Sequence, residues 1–124
     1  MIFGLGTDII KVNRIEKMVA KGRKNLETIF TEREMDYCES KTRRSEHYAA
    51  RFAAKEAVLK ALGIGWRDGF AFPEIEILND NLGKPTVILH GKVKNFFQKQ
   101  KLKQITISLS HAKENAIAVA ILEK

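Results

Sequence analysis

Residues 45–62 form the longest stretch with helical spacing, and this segment constrains the fold more than any other part of the chain. At about 100° per residue, its apolar side chains collect in one stripe that should face the core. The stripe consists of Ala50, Ala54, Ala57, Val58 and Ala61. We therefore predict a long helix with one packed face.

The remaining segments divide into helices in the first half of the chain and strands in the second. Asn13 indicates one helix start, as an N-cap with Glu16 reaching back, and Thr31 opens another helix near 32–40. A further helical pattern covers 91–101. Strand patterns cover 2–10, 74–79, 84–89, 105–111 and 115–123, with turns at 79–83 and 112–114. This order predicts the α+β class, with one domain over 1–124 in which a mainly antiparallel sheet packs against the long helix.

The first and last strands carry further information about packing. One face of the first strand consists of Gly4, Gly6, Asp8 and Ile10 and is nearly bare. Because glycine has no side chain to pack, this face predicts that another group approaches the strand backbone closely. The last strand, 115–123, is apolar on both faces, which predicts a central or interface position.

The composition limits the class of protein. The chain has 124 residues, enough for one domain with a core, and its 44% hydrophobic and 30% charged residues are usual for globular proteins. No run approaches the roughly 18 apolar residues of a membrane span, and the first residues lack a secretory signal pattern. The single Cys38 excludes an internal disulfide and a cysteine-rich metal site. We therefore expect a cytoplasmic protein without a membrane partner, and we predict no role for Cys38 or Trp66.

The charge balance is basic. Lys and Arg number 22 against 15 Asp and Glu, which gives a net charge of +7. Such an excess favours an anionic partner, namely nucleic acid, a phosphorylated metabolite or an acidic protein. It is also consistent with a role in solubility alone. The net charge therefore favours an anionic partner but does not distinguish among these three kinds.

Glu56 and Lys60 stand one turn apart on a second line of the long helix, away from the apolar stripe. One interpretation is a solvated ion pair worth about 0.3–0.5 kcal/mol. The other follows from Phe52, an unusual neighbour for a solvent face, and from Asp8, at the end of the glycine-lined strand. Two carboxylates that meet can hold one Mg²⁺ beside substrate phosphates. Lys60 and Arg51 would then supply positive charge for those phosphates.

The ordered motifs resemble those of the 4′-phosphopantetheinyl transferases. Gly6-Thr7-Asp8 in "GLGTDI" matches the G-x-D strand of that family. The stretch 52–60, "FAAKEAVLK", fills its aromatic-x-x-K-E-A-x-x-K helix without a gap. "NLGKP" (81–85) and "SLSHAKENAIAVAI" (108–121) resemble its later segments. The likeness is closest to the small bacterial type, the holo-[acyl-carrier-protein] synthases, and covers almost the entire chain.

The resemblance implies a reaction. The 4′-phosphopantetheine arm of coenzyme A moves to a serine of an apo acyl carrier protein, and adenosine 3′,5′-bisphosphate leaves. It implies that Mg²⁺ is the cofactor, bound by Asp8 and Glu56, and that Lys60 contacts the phosphates as a further catalytic residue. The proton of the serine passes either to a water of the metal shell or to Glu56. The resemblance also implies fatty acid biosynthesis as the pathway, with polyketide synthesis as the alternative, and a homotrimer with active sites between subunits.

Further residues of the matched motifs make up the expected coenzyme A site. The resemblance places Arg51 and His111 near the nucleotide end of coenzyme A. His111 could otherwise be a hydrogen-bonded structural residue. Gly63 is either part of this site or simply the C-cap of the long helix. The complete expected set is Arg51, Lys55, Gly63, Lys84, Pro85, Ser110 and His111.

The basic excess suggests a docking surface for the acidic carrier protein. Arg14, Met18 and Lys21 share one face of the first helix, and Arg23 and Lys24 follow it. The alternative is an ordinary solvated helix face.

Two other functions are consistent with parts of the sequence. The lysines of 92–104 favour a nucleic-acid-binding module, although Phe96 and Phe97 have core spacing and no nucleic-acid motif is present. The second is a scaffold that binds the carrier without transferring a group. We expect coenzyme A and the carrier, and not nucleic acid, to be the partners.

Overall fold

A long central helix organises the structure, a computed structural model that describes residues 1–65 and 68–124. Trp66 lies outside the described residues. Helix α4 runs from Arg44 to Leu62, and the whole predicted apolar stripe is buried. The helix ends at Gly63, whose φ of 75° lies in the left-handed region that glycine adopts without strain. The prediction of a long helix is confirmed, but the expectation of one packed face is too narrow, because Ala49, Phe52, Ala53 and Lys55 on other faces are buried as well.

The other elements follow the predicted order closely. They are β1 (Ile2–Lys11), α1 (Val12–Ala20), α2 (Arg23–Leu26), α3 (Glu32–Glu39), a 3₁₀ turn (Phe72–Glu74), β2 (Ile75–Asn79), β3 (Pro85–Leu89), α5 (Gly91–Lys99), β4 (Gln104–His111) and β5 (Asn115–Glu123). Within the described residues, β1, β5 and β4 form a three-stranded antiparallel sheet in that order, and β2 pairs with β3 in an antiparallel hairpin. The predicted α+β class and the central position of the last strand are confirmed.

Helix α4 packs on the inner face of the three-stranded sheet at backbone distance. A Cβ atom placed on Gly4 or Gly6 would lie only 1.9 Å from the carbonyl oxygen of Ala61 or Ala57, respectively. The same face of β5 carries small side chains, namely Ala116, Ala118 and Ala120, all buried. The predicted close approach to the glycine face is therefore confirmed, and the approaching group is the backbone of α4.

The two predicted helix starts have different outcomes. Thr31 forms the expected capping box: its hydroxyl accepts from the Glu34 N–H at 3.3 Å, and the Glu34 carboxylate accepts from the Thr31 N–H at 2.8 Å. The prediction that Asn13 caps α1 was wrong. Strand β1 passes directly into α1 at Val12, whose N–H donates to the Glu114 carbonyl at 2.9 Å. The N-cap position therefore falls on a strand residue without a capping side chain.

The outer face of the three-stranded sheet is apolar and exposed. Leu5, Ile9 and Ile117 expose 62%, 68% and 44% of their surface, and Ser110 lies in the same cross-strand row as Ile9 and Ile117. A cluster of exposed apolar side chains on the neighbouring strands β1 and β5 marks an interaction surface rather than scattered surface residues. Among the helices in 1–65 and 68–124, none has the length and apolarity needed to cross a membrane.

Candidate active site

Strand β1 and helix α4 bring Asp8, Glu56 and Lys60 together. Asp8 lies two residues after Gly6 on the inner face of β1, where the helix approaches most closely. The Lys60 ammonium donates to an Asp8 carboxylate oxygen at 3.2 Å and to the Thr7 carbonyl at 2.9 Å. The close packing that glycine permits therefore places the Asp8 carboxylate of β1 beside Glu56 and Lys60 of α4.

The two carboxylates of this cluster interact electrostatically. Partial burial is the largest cause that raises the pKa of Glu56, and the negative charge of Asp8 raises it further. The cations Lys60 and Arg14 act in the opposite direction without cancelling the shift. Two neighbouring carboxylates whose charges disfavour each other are the groups that a divalent cation would stabilise.

The donor set fits Mg²⁺ held jointly with a substrate. Mg²⁺ in enzymes that bind phosphates commonly takes one or two protein carboxylates and completes its shell with phosphate oxygens and water. No cluster of three or more His, Cys, Asp or Glu side chains that could hold a metal alone occurs in 1–65 and 68–124. Asp8 and Glu56 therefore suit a shared metal better than a closed, all-protein metal site.

A separate cavity of about 430 Å³ collects four of the residues predicted to bind coenzyme A. These are Arg51, Lys84, Pro85 and His111. The remaining walls include residues that were not predicted from the sequence, among them Tyr37, His47 and Asn79. Of the described residues that line this cavity, none belongs to the Asp8, Glu56 and Lys60 cluster.

Arg51 is the principal charged group of the cavity. It is 2% exposed, its terminal nitrogen donates to the Asn79 side-chain oxygen at 2.6 Å, and its guanidinium carbon lies 3.9 Å from the centre of the Tyr37 ring. Its buried Nε has no acceptor among the described residues. A buried guanidinium with a donor still to satisfy is suited to an anion such as a phosphate.

His111 is held at the end of β4 by the first turns of α4. Its Nδ1 lies 3.0 Å from a Glu46 carboxylate oxygen, and its ring packs edge-on against His47 with centroids 4.8 Å apart. Burial lowers the pKa of His47, and the neighbouring His111 and Arg51 charges lower it further. The Glu46 contact leaves the other ring nitrogen of His111 available to a ligand.

The carboxylate cluster and the cavity lie at opposite edges of the three-stranded sheet. Asp8 of β1 lies opposite Ala118 of β5, and Ala118 lies opposite Leu109 of β4. Leu109 lines the cavity. Two strand spacings of about 4.8 Å each separate these edges. On α4, Arg51 and Glu56 point about 140° apart. The two half-sites of one chain therefore face different directions.

The structure does not bring three of the expected ligand residues to the cavity. Lys55 is fully buried, and its ammonium donates to the Glu34 carboxylate and to two backbone carbonyls, so this side chain does not line the cavity. Gly63 acts as the C-cap of α4, which was the alternative interpretation. Ser110 is exposed on the outer face of the sheet, because strand alternation turns it away from His111.

Of the predicted carrier-docking residues, Arg14 lies beside the carboxylate cluster. Arg14 and Lys21 are exposed and Met18 is half-buried, while Arg14 lies 5.9 Å from the Phe52 ring centre. Lys24 is also exposed, and Arg23 pairs with Asp36 at 3.5 Å. Arg14 is close enough to Glu56 to lower its pKa, so this face of α1 borders the proposed metal ligands.

Some cavity residues could have been found from the sequence. His47 precedes Arg51 by four positions on α4, so helical spacing alone places both on one face. Glu46 precedes His47, but its contact with His111 joins positions 65 residues apart and follows only from the fold. Asn79 was interpreted as a turn residue, and its bond to Arg51 also depends on tertiary packing.

Comparison with known proteins agrees with this geometry. A family model described as "4′-phosphopantetheinyl transferase superfamily" matches residues 4–120. The holo-[acyl-carrier-protein] synthase of Geobacter sulfurreducens is 46% identical and is covered over 99% of its length, with 100% of this chain matched. That of Ruminiclostridium cellulolyticum is 52% identical over 95% of this chain and 90% of the relative.

Solved structures give the same result. Holo-[acyl-carrier-protein] synthase from Neisseria meningitidis matches with a TM-score of 0.90 and 33% identity, covering 100% of both chains. The Bacillus anthracis synthase, described in complex with CoA (3′,5′-ADP), matches with a TM-score of 0.82 and 40% identity, covering 100% of this chain and 98% of that one. The chain therefore belongs to the holo-[acyl-carrier-protein] synthase family within the 4′-phosphopantetheinyl transferase superfamily.

Proposed function

We propose that this protein transfers the 4′-phosphopantetheine group from coenzyme A to a serine of an apo acyl carrier protein in cytoplasmic fatty acid biosynthesis. The observation that carries the proposal is the meeting of Asp8, Glu56 and Lys60, three residues of the matched motifs, at one point between β1 and α4. The cavity around Arg51 and His111 supports it, since its basic groups suit the phosphates at the nucleotide end of coenzyme A.

We assign Mg²⁺ binding to Asp8 and Glu56. When bound, the metal would neutralise charge on the pyrophosphate and polarise the phosphorus that is attacked. Lys60 already uses two of its donors on Asp8 and the Thr7 carbonyl, which fixes its ammonium beside the metal ligands. The third donor is directed to the phosphate that departs, where it stabilises the charge left on the oxygen.

The transfer forms one bond to phosphorus and breaks another. The carrier serine oxygen attacks the phosphorus on the pantetheine side, the bond from that phosphorus to the bridging oxygen breaks, and adenosine 3′,5′-bisphosphate leaves with the electron pair. The serine proton is lost to Glu56 or to water.

We further propose a homotrimer whose active sites lie between subunits. The carboxylate cluster and the nucleotide cavity of one chain face different directions, so a neighbouring copy is needed to place them against one substrate. The exposed apolar face with Leu5, Ile9 and Ile117 supplies a surface for that contact.

Mixing two impaired variants tests the shared site. Glu56→Gln and Arg51→Ala each damage a different half, and co-refolding them should restore part of the activity because some interfaces then combine two intact halves. Each variant refolded alone provides the control. Activity in the mixture no higher than the sum of the controls would show that both halves act within one chain.

Intact-mass analysis tests the reaction itself. Apo carrier protein incubated with this protein, coenzyme A and Mg²⁺ should gain about 340 Da, the mass of one phosphopantetheine group. Glu56→Gln should abolish the Mg²⁺-dependent gain and leave the fold intact, because the amide removes a charged metal ligand. A Glu56→Gln variant with near-normal turnover would refute the metal assignment.

A further inference from the structure

Lys55 belongs to the matched motif but cannot contact a ligand directly. It follows Arg51 by one turn on α4, and its side chain is fully buried. Its ammonium donates to the Glu34 carboxylate at 2.8 Å, to the Phe72 carbonyl at 3.1 Å and to the Ile75 carbonyl at 2.5 Å. An ammonium has three donors, and all three have acceptors here.

The buried pair of Lys55 and Glu34 connects four elements. One Glu34 oxygen accepts from Lys55 and from the Thr31 N–H at the start of α3, and the other accepts from the Ile77 N–H of β2 at 2.8 Å. Lys55 itself lies in the middle of α4, and its ammonium bonds to Phe72 in the 3₁₀ turn and to Ile75 at the start of β2. The pair therefore fixes the position of β2 relative to α4.

Strand β2 in turn positions the nucleotide cavity. At its end, Asn79 accepts a hydrogen bond from Arg51 at 2.6 Å and donates to the Gly83 carbonyl at 2.9 Å. The second bond holds the turn that carries Lys84 and Pro85 into the cavity wall. A shift of β2 along α4 would therefore misplace two sides of the cavity together.

We propose that Lys55, paired with Glu34, is a positioning residue for the coenzyme A cavity: it anchors β2 so that Asn79 orients Arg51 and the Lys84 turn toward the nucleotide phosphates. This inference rests on the proposed function, because it assigns the effect of Lys55 to coenzyme A binding. It differs from a purely stabilising role in a measurable way. A stabilising residue changes the folded fraction, whereas a positioning residue changes the affinity of the folded protein for one substrate.

The double variant Lys55→Met, Glu34→Gln removes both charges together, because removing one alone would leave a buried charge without a partner. The native protein must first transfer the group and bind adenosine 3′,5′-bisphosphate, and its failure to do so would refute the proposed function rather than this inference. In the folded double variant, the KM for coenzyme A and the Kd for adenosine 3′,5′-bisphosphate should rise about tenfold or more. The KM for the carrier should change less than about twofold.

Arg33→Ala provides the matched control. Arg33 bonds to Glu76, which lies on β2 between the two residues contacted by the buried pair, but its own side chain is exposed. This variant perturbs the same strand without touching Lys55, and its KM for coenzyme A should stay within about twofold of the native value. Equal coenzyme A defects in both variants, or an unchanged KM and Kd in the folded double variant, would overturn the proposal.

Discussion

The substitution Gly6→Ala tests whether backbone contact between β1 and α4 sets the geometry of the metal ligands. A Cβ atom on Gly6 would lie 1.9 Å from the Ala57 carbonyl oxygen and 2.8 Å from the Ala61 nitrogen. An ordinary carbon–oxygen contact needs about 3.3 Å, so the strand and helix must separate by about 1.4 Å. Both obstructing atoms belong to the helix backbone, and no change of side-chain rotamer relieves the clash.

The separation should affect both stability and catalysis. Overpacking of this kind typically costs about 1–3 kcal/mol of the free energy of unfolding. Asp8 lies two residues further on the same face of β1, so it moves away from Glu56 and Lys60. A misplacement of about 1 Å at a catalytic centre can cost about a hundredfold in rate, and we expect a loss of that order in the folded variant.

Urea denaturation measures the first effect, and the rate of mass gain of the carrier measures the second. Gly65→Ala is the matched control, because a Cβ there meets no atom of residues 1–65 and 68–124 within 4 Å and the backbone has no positive φ. The control should match the native protein in both assays. Gly6→Ala with native stability and native transfer rate would refute the idea that backbone contact positions Asp8.

Three further perturbations test separate parts of the structure. Burial alone would raise the pKa of Glu76, but its hydrogen bonds lower that pKa to about 2 from 4.5. Its stabilisation is therefore complete above pH 4.5 and is lost as the pH falls toward about 2. Glu76→Gln should lower the free energy of unfolding at pH 7 by up to about 3 kcal/mol, with little difference near pH 2, as urea titrations at both pH values will show. His111→Ala should raise the KM for coenzyme A roughly tenfold, because the residue lines the nucleotide cavity. The KM for the carrier should change less. Steady-state kinetics with the reverse pattern would contradict the proposed role of His111. Lys21→Glu should weaken carrier binding about fivefold at low salt and less at high salt, and salt-independent binding would argue against an electrostatic dock.

Local patterns were sufficient to predict most of the secondary structure. The apolar stripe of α4 can be read from the helical spacing of its apolar residues. The Thr31 capping box depends only on two residues three positions apart. The glycine face of β1 correctly predicted a close neighbour, because the absence of side chains is visible in the sequence. The identity of that neighbour was not visible, since it depends on how the helix lies across the sheet.

Long-range contacts explain why Asn13 does not cap α1 and why Lys55 lies away from the cavity. Asn13 has a capping side chain, but α1 already begins at Val12, whose N–H donates to the Glu114 carbonyl in the turn between β4 and β5. Lys55 has a charge suited to phosphate, but Glu34 reaches it from another helix and removes it from solvent. In both cases a long-range backbone or ionic contact outweighs the local preference of the residue.

The sequence by itself determined most of the elements, the α+β class and the motif residues Asp8, Glu56 and Lys60 of the proposed active site. Their types and periodicities are local properties that do not depend on the rest of the chain. Only the tertiary structure decided which polar and charged side chains are buried in internal contacts and which can be reached from outside. Burial of Lys55 in an ion pair, exposure of Ser110 on the outer sheet face, and the separation of Arg51 from Glu56 around α4 all follow from packing between distant segments. Packing, rather than residue type, therefore separates the motif side chains that are committed to internal contacts from those that border the cavity or the carboxylate cluster.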